Sequence, residues 1–246
     1  MTHRLYLGSL ADEDSPLGVD TTLELNREQS HYLTRVLRLK AGANLLCFDG
    51  RGQEWEASVS NVDGKRAMVR LGAICRTGSA TSLPLILAIG WLKGAAMDTV
   101  VQKATELGVD GLQVLHAERS NVRLDEKRIA NKLRHWQQIA VSASEQSNRL
   151  FVPEIPPPIA FTDLLNGAMS GRWLMLEPGA DTLDAGESRS ALTLLIGPEG
   201  GWSDEEKRLA RAQGIEFCGL GNLTLRAETA PLAVLAAVQH SWGWSN

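Results

Sequence analysis

Two patterns of apolar and polar positions divide the chain. In the first 75 residues, short β-prone segments alternate apolar with polar positions, and the dipeptides Asp49-Gly50 and Asp63-Gly64 are typical of hairpin turns. The stretch NREQSHYLTRVLRL instead spaces its apolar residues as a helix does, with Asn26 as the predicted N-cap. We therefore expect a small, mostly β domain with one helix at residues 1–75. Its predicted strands are LYLGSL, TTLELN, ANLLCF, EWEASVSNV and RAMVRLGAI.

From residue 83 onward, strand patterns alternate with helix patterns. This alternation predicts an α/β domain with a largely parallel sheet at residues 83–246, whose ligands bind beyond the carboxyl ends of the strands. The polar segment RTGSATS, residues 76–82, is the expected linker. The predicted strands are PLILAIGWL, GLQVL, WLMLE, LTLLIG and EFCGLG, and the predicted helices are MDTVVQKATELG, DEKRIANKLRHWQQIAVSASEQ and APLAVLAAVQHSW.

Composition narrows the class of protein without naming a function. The 246 residues are 43% hydrophobic and 22% charged, as in ordinary globular proteins. No apolar run approaches the roughly 18 residues of a membrane span, and the N-terminal segment lacks the apolar core of a signal peptide, so we expect a cytoplasmic protein. The three cysteines and five histidines lack metal-ligand spacing, which argues against a metal site and a disulfide framework.

Charge is unevenly distributed along the chain. The net charge of -4 argues mildly against a nucleic-acid partner. However, residues 119–149 hold seven basic against three acidic side chains, whereas residues 177–206 hold eight acidic side chains and one arginine. The first of these segments is the best candidate for contact with a polyanion.

Three glycine-bearing loops follow the last three predicted strands. They are EPG (177–179), GPEGG (197–201) and GLGNLTLRAET (219–229). Glycine permits left-handed backbone and the close approach of a ligand to main-chain amides, although most glycines merely form turns and caps. After GPEGG, Ser203 and Glu206 are spaced as a capping box, so side chains are expected to occupy the first amides of the next helix.

Acidic residues in these loops argue against a phosphate ligand. GPEGG matches neither the dinucleotide nor the nucleoside-triphosphate fingerprint, and the negative charge would repel a pyrophosphate. A neutral nucleoside or a cation would be accepted. A nucleotide-dependent oxidoreductase on a Rossmann sheet is therefore disfavoured.

Several motifs in order resemble the RsmE family, whose members methylate N3 of a uridine in 16S ribosomal RNA. The similarity runs from about residue 4 to the C-terminus. The resemblance implies a PUA-like β-barrel that helps hold RNA, followed by a SPOUT methyltransferase domain with a deep trefoil knot. It also implies a homodimer that uses S-adenosylmethionine (SAM), a cationic nucleoside without phosphate. The motifs are HYLTRVLRLKAG, FDGRG, KATELGV, ERS, EQSNR, LLIGPEGGWSDEE and LGNLTLRAETAPLAVLAAVQ.

The resemblance also implies which residues surround the cofactor, largely through their backbone. Whether Glu199 contacts the cofactor or only shapes its loop is left open by the sequence. The implied residues are Leu176, Glu177, Gly197, Pro198, Glu199, Gly200, Gly201, Leu220, Gly221, Leu225, Thr229 and Ala230.

Methyl transfer to uracil N3 requires orientation of the base and removal of the N3 proton. Arg226 is the candidate that stabilises the developing uracil anion, and Glu228 is the candidate proton acceptor. An ion pair or a cap at the final helix is the alternative role for Glu228.

RNA contacts are expected mainly in the basic segment and the N-terminal domain. Lys93 and Gln146 are candidates to line the uridine pocket, and a local hydrogen bond or a surface charge is the alternative role for each. Lys127, Arg128 and Lys132 are interpreted as a solvated helix face, Trp136 as a core residue and Trp202 as a candidate for base stacking. The predicted RNA-contacting residues are Arg35, Arg38, Lys93, Arg119, Arg123, Gln146 and Arg149.

One departure from the family pattern keeps a second hypothesis open. Where the family commonly has Pro-Arg, this chain has Asn222 and Leu223, so a basic side chain is missing next to the predicted site. The alternative to the methyltransferase is a non-catalytic RNA-binding factor for ribosome assembly on the same scaffold.

Overall fold

The computed structural model describes residues 3–8, 10, 17–63, 66–120, 126–167, 169–187 and 189–244. The chain forms two compact units. The first contains Met1–Ala80 and Ser144–Val152, and the second contains Thr81–Ala143 and Pro153–Asn246. The short return of residues 144–152 to the first unit is a feature that the sequence patterns do not predict.

The first unit is built on a five-stranded sheet in the order β1-β3-β4-β5-β2. β1 pairs with β3 in parallel, and the remaining pairs are antiparallel. The structure confirms the small, mostly β unit and its five predicted strands, while closure of the sheet into a barrel stays a prediction. The strands are β1 (Arg4–Tyr6), β2 (Thr22–Glu24), β3 (Asn44–Phe48), β4 (Gln53–Asp63) and β5 (Arg66–Thr77).

The predicted helix of this unit has two parts. It begins with α1 (Arg27–His31), where Asn26 and Gln29 form a capping box, and continues as a π-helical turn, Tyr32–Val36. The predicted N-cap is thus confirmed. Leu33 is fully buried and packs into the core of this unit. The Gly64 of the second predicted hairpin turn lies outside the described residues.

Arg4 explains why Ser144–Val152 belongs to the first unit. Its guanidinium donates to the carbonyl oxygens of Ser144 at 2.7 Å and Arg149 at 2.9 Å. It also pairs with the fully buried carboxylate of Glu54 at 2.7 Å. A cation at the last turn of a helix satisfies carbonyls that have no partner within the helix.

Glu145, on the same return segment, is a buried carboxyl group. Its Oε1 accepts a hydrogen bond from the backbone N–H of Tyr6 at 2.9 Å. Burial raises the pKa of Glu145 to about 7, although hydrogen bonds from Tyr6 and Tyr32 act in the opposite direction. The first unit therefore holds a carboxyl group that titrates near neutrality.

The second unit is an α/β structure with a fully parallel six-stranded sheet in the order β11-β9-β10-β6-β7-β8. The parallel sheet confirms the predicted fold class, and the carboxyl ends of its strands meet at one edge. The strands are β6 (Leu85–Gly90), β7 (Gly111–His116), β8 (Ile159–Ala160), β9 (Arg172–Leu176), β10 (Leu192–Ile196) and β11 (Glu216–Cys218), and the helices are α2 (Ala95–Glu106), α3 (Glu126–Gln146), α4 (Phe161–Asn166), α5 (Asp204–Ala212) and α6 (Thr229–Ser241).

Packing in the second unit agrees with the predicted core position of Trp136. Trp136 on α3 is fully buried, and its indole N–H donates to Asp98 at 3.0 Å, so its assignment to the core is confirmed. α2 ends where Gly108 takes a φ of 88°.

The element pair β8 and α4 was not predicted, because its two-residue strand is too short to show a period. β5 also continues through Thr77, into the segment expected to be a linker.

Candidate active site

A cavity lies at the carboxyl ends of β9, β10 and β11, where the three glycine-bearing loops meet. Its empty volume is about 740 Å³, a figure that includes space open to solvent. Ten of the twelve predicted cofactor residues line it, and Gly200 and Thr229 do not. The lining residues are Leu176, Glu177, Pro178, Ile196, Gly197, Pro198, Glu199, Gly201, Trp202, Leu220, Gly221, Leu223, Thr224, Leu225, Ala227 and Ala230.

The GPEGG loop is a tight turn that packs closely on β6. The N–H of Gly201 donates to the carbonyl of Pro198 at 2.8 Å, and Gly201 has a φ of 67°. A Cβ added at Gly90 would lie 2.5 Å from the backbone nitrogen of Pro198. Gly90, which the motifs did not single out, is therefore the residue that lets this loop cross the end of β6.

The carboxylates around the cavity already have partners. Glu199 accepts a hydrogen bond from the backbone N–H of Lys93 at 2.9 Å, and Glu177 pairs with Lys207 at 2.6 Å. Glu199 thus shapes its loop and also lines the cavity. Among the described residues, those that line the cavity include two carboxylates and no lysine or arginine. The cavity wall is accordingly unfavourable for an anion, although the paired acids carry less unbalanced charge than the sequence alone indicates.

The predicted capping box at the start of α5 is confirmed. Ser203 accepts from the N–H of Glu206, and Glu206 accepts from the N–H of Ser203 at 2.8 Å. The second carboxylate oxygen of Glu206 accepts from the N–H of Glu118 at 2.8 Å. The side chain of Glu206 therefore joins α5 to the loop that follows β7.

Arg119 in that loop contacts the GPEGG turn directly. Its guanidinium donates to the carbonyl of Gly200 at 3.2 Å. A Cβ at Gly200 would lie 2.9 Å from the Cβ of Arg119 and 3.2 Å from its carbonyl oxygen. Gly200 thus packs against Arg119, whereas its neighbours line the cavity.

The loop between β11 and α6 has a different character. Among the described residues, no main-chain hydrogen bond involves residues 220–225. Arg226 is 86% exposed and lies 3.9 Å from the carboxylate of Glu228, which is 32% exposed. Glu228 occupies the N-cap position of α6, but its side chain makes no capping hydrogen bond. Neither Arg226 nor Glu228 lines the cavity. The contact between the two side chains matches the ion pair that was the alternative role for Glu228.

The structure places the predicted RNA-contacting residues in both units. In the second unit, Lys93 and Arg119 are exposed beside the GPEGG loop. In the first unit, Arg35, Arg38 and Gln146 are exposed. Arg149 is half-buried, and its Nε donates to the carbonyl of Phe151 at 3.2 Å. Arg123 lies outside the described residues.

Trp202 is a core residue. It is 2% exposed, and its ring packs against Phe161 with the ring centroids 5.0 Å apart. Although Trp202 borders the cavity, its burial leaves little ring surface for the predicted base stacking. The cavity residues that the predicted cofactor set left out all lie within the quoted loops and motifs. They are Pro178, Ile196, Trp202, Leu223, Thr224 and Ala227.

Neither a metal cluster nor a membrane span is found in the described part of the chain. No group of three or more His, Cys, Asp or Glu residues there is arranged to hold a metal ion. No helix there is long and apolar enough to cross a membrane. The three cysteines, Cys47, Cys75 and Cys218, are free.

Comparison with known proteins defines the class of this chain. A family model described as an RNA methyltransferase domain matches residues 79–239, and one described as an RNA methyltransferase PUA domain matches residues 25–71. The first match covers more than half of the chain and includes all three loops around the cavity. The chain is therefore an enzyme of the RNA methyltransferase class.

Individual relatives narrow this class. A ribosomal RNA small subunit methyltransferase E from Synechocystis is 33% identical over 228 residues, which are 89% of this chain and 73% of the relative. The crystal structure of a ribosomal RNA small subunit methyltransferase E from Neisseria gonorrhoeae, bound to SAM, has a TM-score of 0.86 and 32% identity, and 98% of each chain is covered. A Legionella pneumophila protein solved with SAM has a TM-score of 0.90 and 31% identity, again with 98% of each chain covered.

The chain belongs to the ribosomal RNA small subunit methyltransferase E family. This assignment confirms the resemblance found in the motifs, the α/β methyltransferase fold and the N-terminal PUA domain. It favours the methyltransferase over the non-catalytic assembly factor. The trefoil knot stays a prediction.

Proposed function

We propose that this enzyme methylates N3 of a specific uridine in 16S ribosomal RNA, with SAM as the methyl donor. The observation that carries the proposal is the cavity at the carboxyl ends of β9, β10 and β11, whose lining includes Glu177 and Glu199 but no basic side chain. Two relatives with about one third sequence identity were solved with SAM bound. We further propose that it acts in the cytoplasm as a homodimer.

The residues of the cavity fit SAM in both charge and shape. Two carboxylates suit the sulfonium and ammonium groups, and apolar side chains such as Leu176, Ile196 and Leu225 suit a nucleoside base. A Cβ at Gly201 or Gly221 would meet no atom within 4 Å, so a ligand has room to approach the backbone there. Main-chain amides of residues 220–225 that have no main-chain partner are available to hydrogen-bond such a ligand.

SAM supplies an electrophilic methyl group on a sulfonium. In our proposal the carboxylate of Glu228 would accept the proton that uracil N3 loses when it takes up this methyl group. Arg226 stabilises the negative charge that develops on the uracil. The 86% exposure of Arg226 leaves its guanidinium accessible to an RNA base. A positioned carboxylate and a positioned cation typically accelerate such a step by about 10²–10⁴-fold and 10²–10³-fold.

RNA contact is proposed for the basic and polar residues that the sequence predicts. Arg35 and Arg38, which are exposed in the first unit, would bind phosphates, and the half-buried Arg149 extends this proposal, as does Arg123, which lies outside the described residues. Gln146, which is exposed, would line the uridine pocket. The backbone N–H of Lys93 donates to Glu199 of the GPEGG loop, and we propose that the Lys93 side chain approaches the uridine from that side.

The test is methyl transfer to small subunits purified from a strain that lacks this enzyme. The subunits are incubated with labelled SAM and the purified protein, and primer extension then maps the modified nucleotide. An N3-methyl group blocks base pairing, so we expect a protein-dependent stop at one uridine together with incorporation of label. A protein that binds RNA but produces neither stop nor label would contradict the proposal and support the assembly factor.

A further inference from the structure

We infer that Arg119 is a positioning residue for the cofactor: it fixes the GPEGG wall of the cavity from the outside and so sets the affinity for SAM. The sequence predicted instead that Arg119 contacts RNA phosphates. The inference rests on the proposed SAM-dependent function, and it gives Arg119 the role of holding the GPEGG loop in place.

The two sides of the GPEGG turn face different surroundings. Gly197, Pro198, Glu199 and Gly201 line the cavity, whereas Gly200 does not. Gly200 instead packs under Arg119, where even a methyl group would lie 2.9 Å from the Cβ of Arg119. Arg119 therefore supports the turn at the one residue that has its back to the cavity.

The guanidinium of Arg119 adds a directional bond to this contact. It donates to the carbonyl of Gly200 at 3.2 Å and thereby fixes the peptide plane between Gly200 and Gly201. Gly201 has a φ of 67°, a conformation that glycine leaves with little penalty. Without the bond from Arg119, that peptide has more orientations available, and the amides next to the cavity are less well ordered.

Glu118, the residue before Arg119, joins the loop after β7 to the first turn of α5. The N–H of Glu118 donates to Glu206 at 2.8 Å, and Glu206 is only 5% exposed. The N–H of Ser120 donates to the carbonyl of Ala117 at 3.0 Å, which closes a turn around both contacts. The turn 117–120 after β7 is thus joined to the loop at Gly200 and at Glu206. A ligand that binds a loop held in place loses less conformational entropy than one that must order it.

A role for Arg119 in phosphate binding makes opposite predictions. Loss of a phosphate contact weakens RNA binding and lowers the dependence of log K on log salt by about 0.7 to 0.9. It leaves the affinity for SAM in the absence of RNA unchanged. Loss of a positioning contact weakens SAM binding and leaves that salt dependence unchanged.

Arg119→Ala, Arg119→Gln and Gly200→Ala are the informative variants, and Lys127→Ala is the control, because Lys127 is an exposed cation of the same basic segment. Calorimetry without RNA gives the Kd for SAM, filter binding at several salt concentrations gives RNA affinity, and steady-state kinetics separate KM for SAM from kcat. Thermal unfolding without SAM checks that each variant is folded.

We expect about tenfold weaker SAM binding for Arg119→Ala and Gly200→Ala, with kcat at saturating SAM nearly retained. Arg119→Gln keeps a donor but no charge, so it should restore most of the SAM affinity and none of an RNA phosphate contact. Lys127→Ala should bind SAM as the wild type does.

An Arg119→Ala variant that binds SAM as tightly as the wild type overturns the inference, and a lowered RNA salt dependence in that variant would assign Arg119 to phosphate. If Arg119→Ala does not fold, the SAM affinity of Gly200→Ala is used instead, and wild-type affinity in that variant overturns the inference. A wild-type protein that does not bind SAM contradicts the proposed function itself, so the two failures are distinguishable.

Discussion

The two loops on either side of the cofactor cavity are constructed in opposite ways. The loop between β10 and α5 is fastened by hydrogen bonds between Glu199 and Lys93 and between Gly200 and Arg119, and the first turn of α5 is fastened by a bond between Glu206 and Glu118. In the loop between β11 and α6, residues 220–225 make no main-chain hydrogen bond to the described chain, and Leu223 and Arg226 are 80% and 86% exposed.

This difference indicates separate roles for the two loops, one in cofactor affinity and the other in methyl transfer. A fastened loop presents its amides in one arrangement before the ligand arrives, which favours cofactor affinity. An open loop holds groups that become ordered only when the substrate or a partner subunit covers them, which suits residues that act in the transfer step. Changes in the first loop should therefore alter SAM binding, and changes in the second should alter the rate of transfer.

The largest effect is expected for Arg226→Ala. Loss of the cation proposed to stabilise the developing uracil anion should lower the single-turnover rate by about 10²–10³-fold, while the Kd for SAM stays within a factor of two of the wild-type value. Arg208→Ala is the control, since Arg208 is also exposed and paired with a glutamate. Equal losses of affinity and rate in Arg226→Ala would remove the distinction between the loops.

Gly90→Ala should displace the fastened loop, although Gly90 itself does not line the cavity. Its new Cβ would lie 2.5 Å from the backbone of Pro198, so the loop must shift. We expect SAM binding to weaken by about 10- to 100-fold, measured by calorimetry. Gly18→Ala is the control, because its Cβ would meet nothing closer than 3.6 Å. Wild-type affinity in Gly90→Ala would show that this packing does not position the loop.

Glu177→Gln tests the charge of the cavity wall. It removes one of the two lining carboxylates and its pair with Lys207. We expect about fivefold weaker SAM binding than in the wild type, and this difference should shrink as the salt concentration rises. Glu205 is paired with Arg208 but does not line the cavity, so Glu205→Gln serves as the control. Equal changes in the two variants would mean that the wall has no charge preference.

Glu145→Gln should affect neither loop, but it should change how stability depends on pH. The folded-state pKa of Glu145 is raised from 4.5 to about 7. Its contribution to the free energy of unfolding is therefore fully present below pH 4.5 and is lost as the pH rises through 7, at up to about 1.4 kcal/mol per pH unit. Denaturant unfolding between pH 4 and 8 should show this loss in the wild type and not in the variant.

A parallel loss of stability in the wild type and Glu145→Gln would assign the pH dependence to other groups. Unchanged SAM affinity in the variant at pH 8 would show that altered stability alone does not mimic the loop variants.

The sequence predicted those features that depend on nearby residues. Alternating strand and helix patterns gave the parallel sheet, and the spacing of Ser203 and Glu206 gave the capping box. Three glycine-bearing loops after strands located the cavity, since parallel strands end at one edge.

Features made by contacts distant along the chain were not predictable. The bonds from Arg4 to Ser144 and from Arg119 to Gly200 join residues that no periodicity relates. The same limit applies to the acids of the loops. Their partners, such as Lys207 for Glu177, appear only when the chain is folded, so sequence alone overstated the negative charge of the site.

The most direct test of the central claim is calorimetry of the wild-type protein with SAM and, separately, with ADP-ribose. A cavity whose wall includes two carboxylates and no basic side chain should bind the cationic nucleoside and reject the pyrophosphate. We predict saturable binding of SAM at micromolar concentrations, as its role as a substrate requires, and no heat of binding for ADP-ribose. Binding of ADP-ribose as tight as that of SAM, or no binding of SAM, would contradict the account.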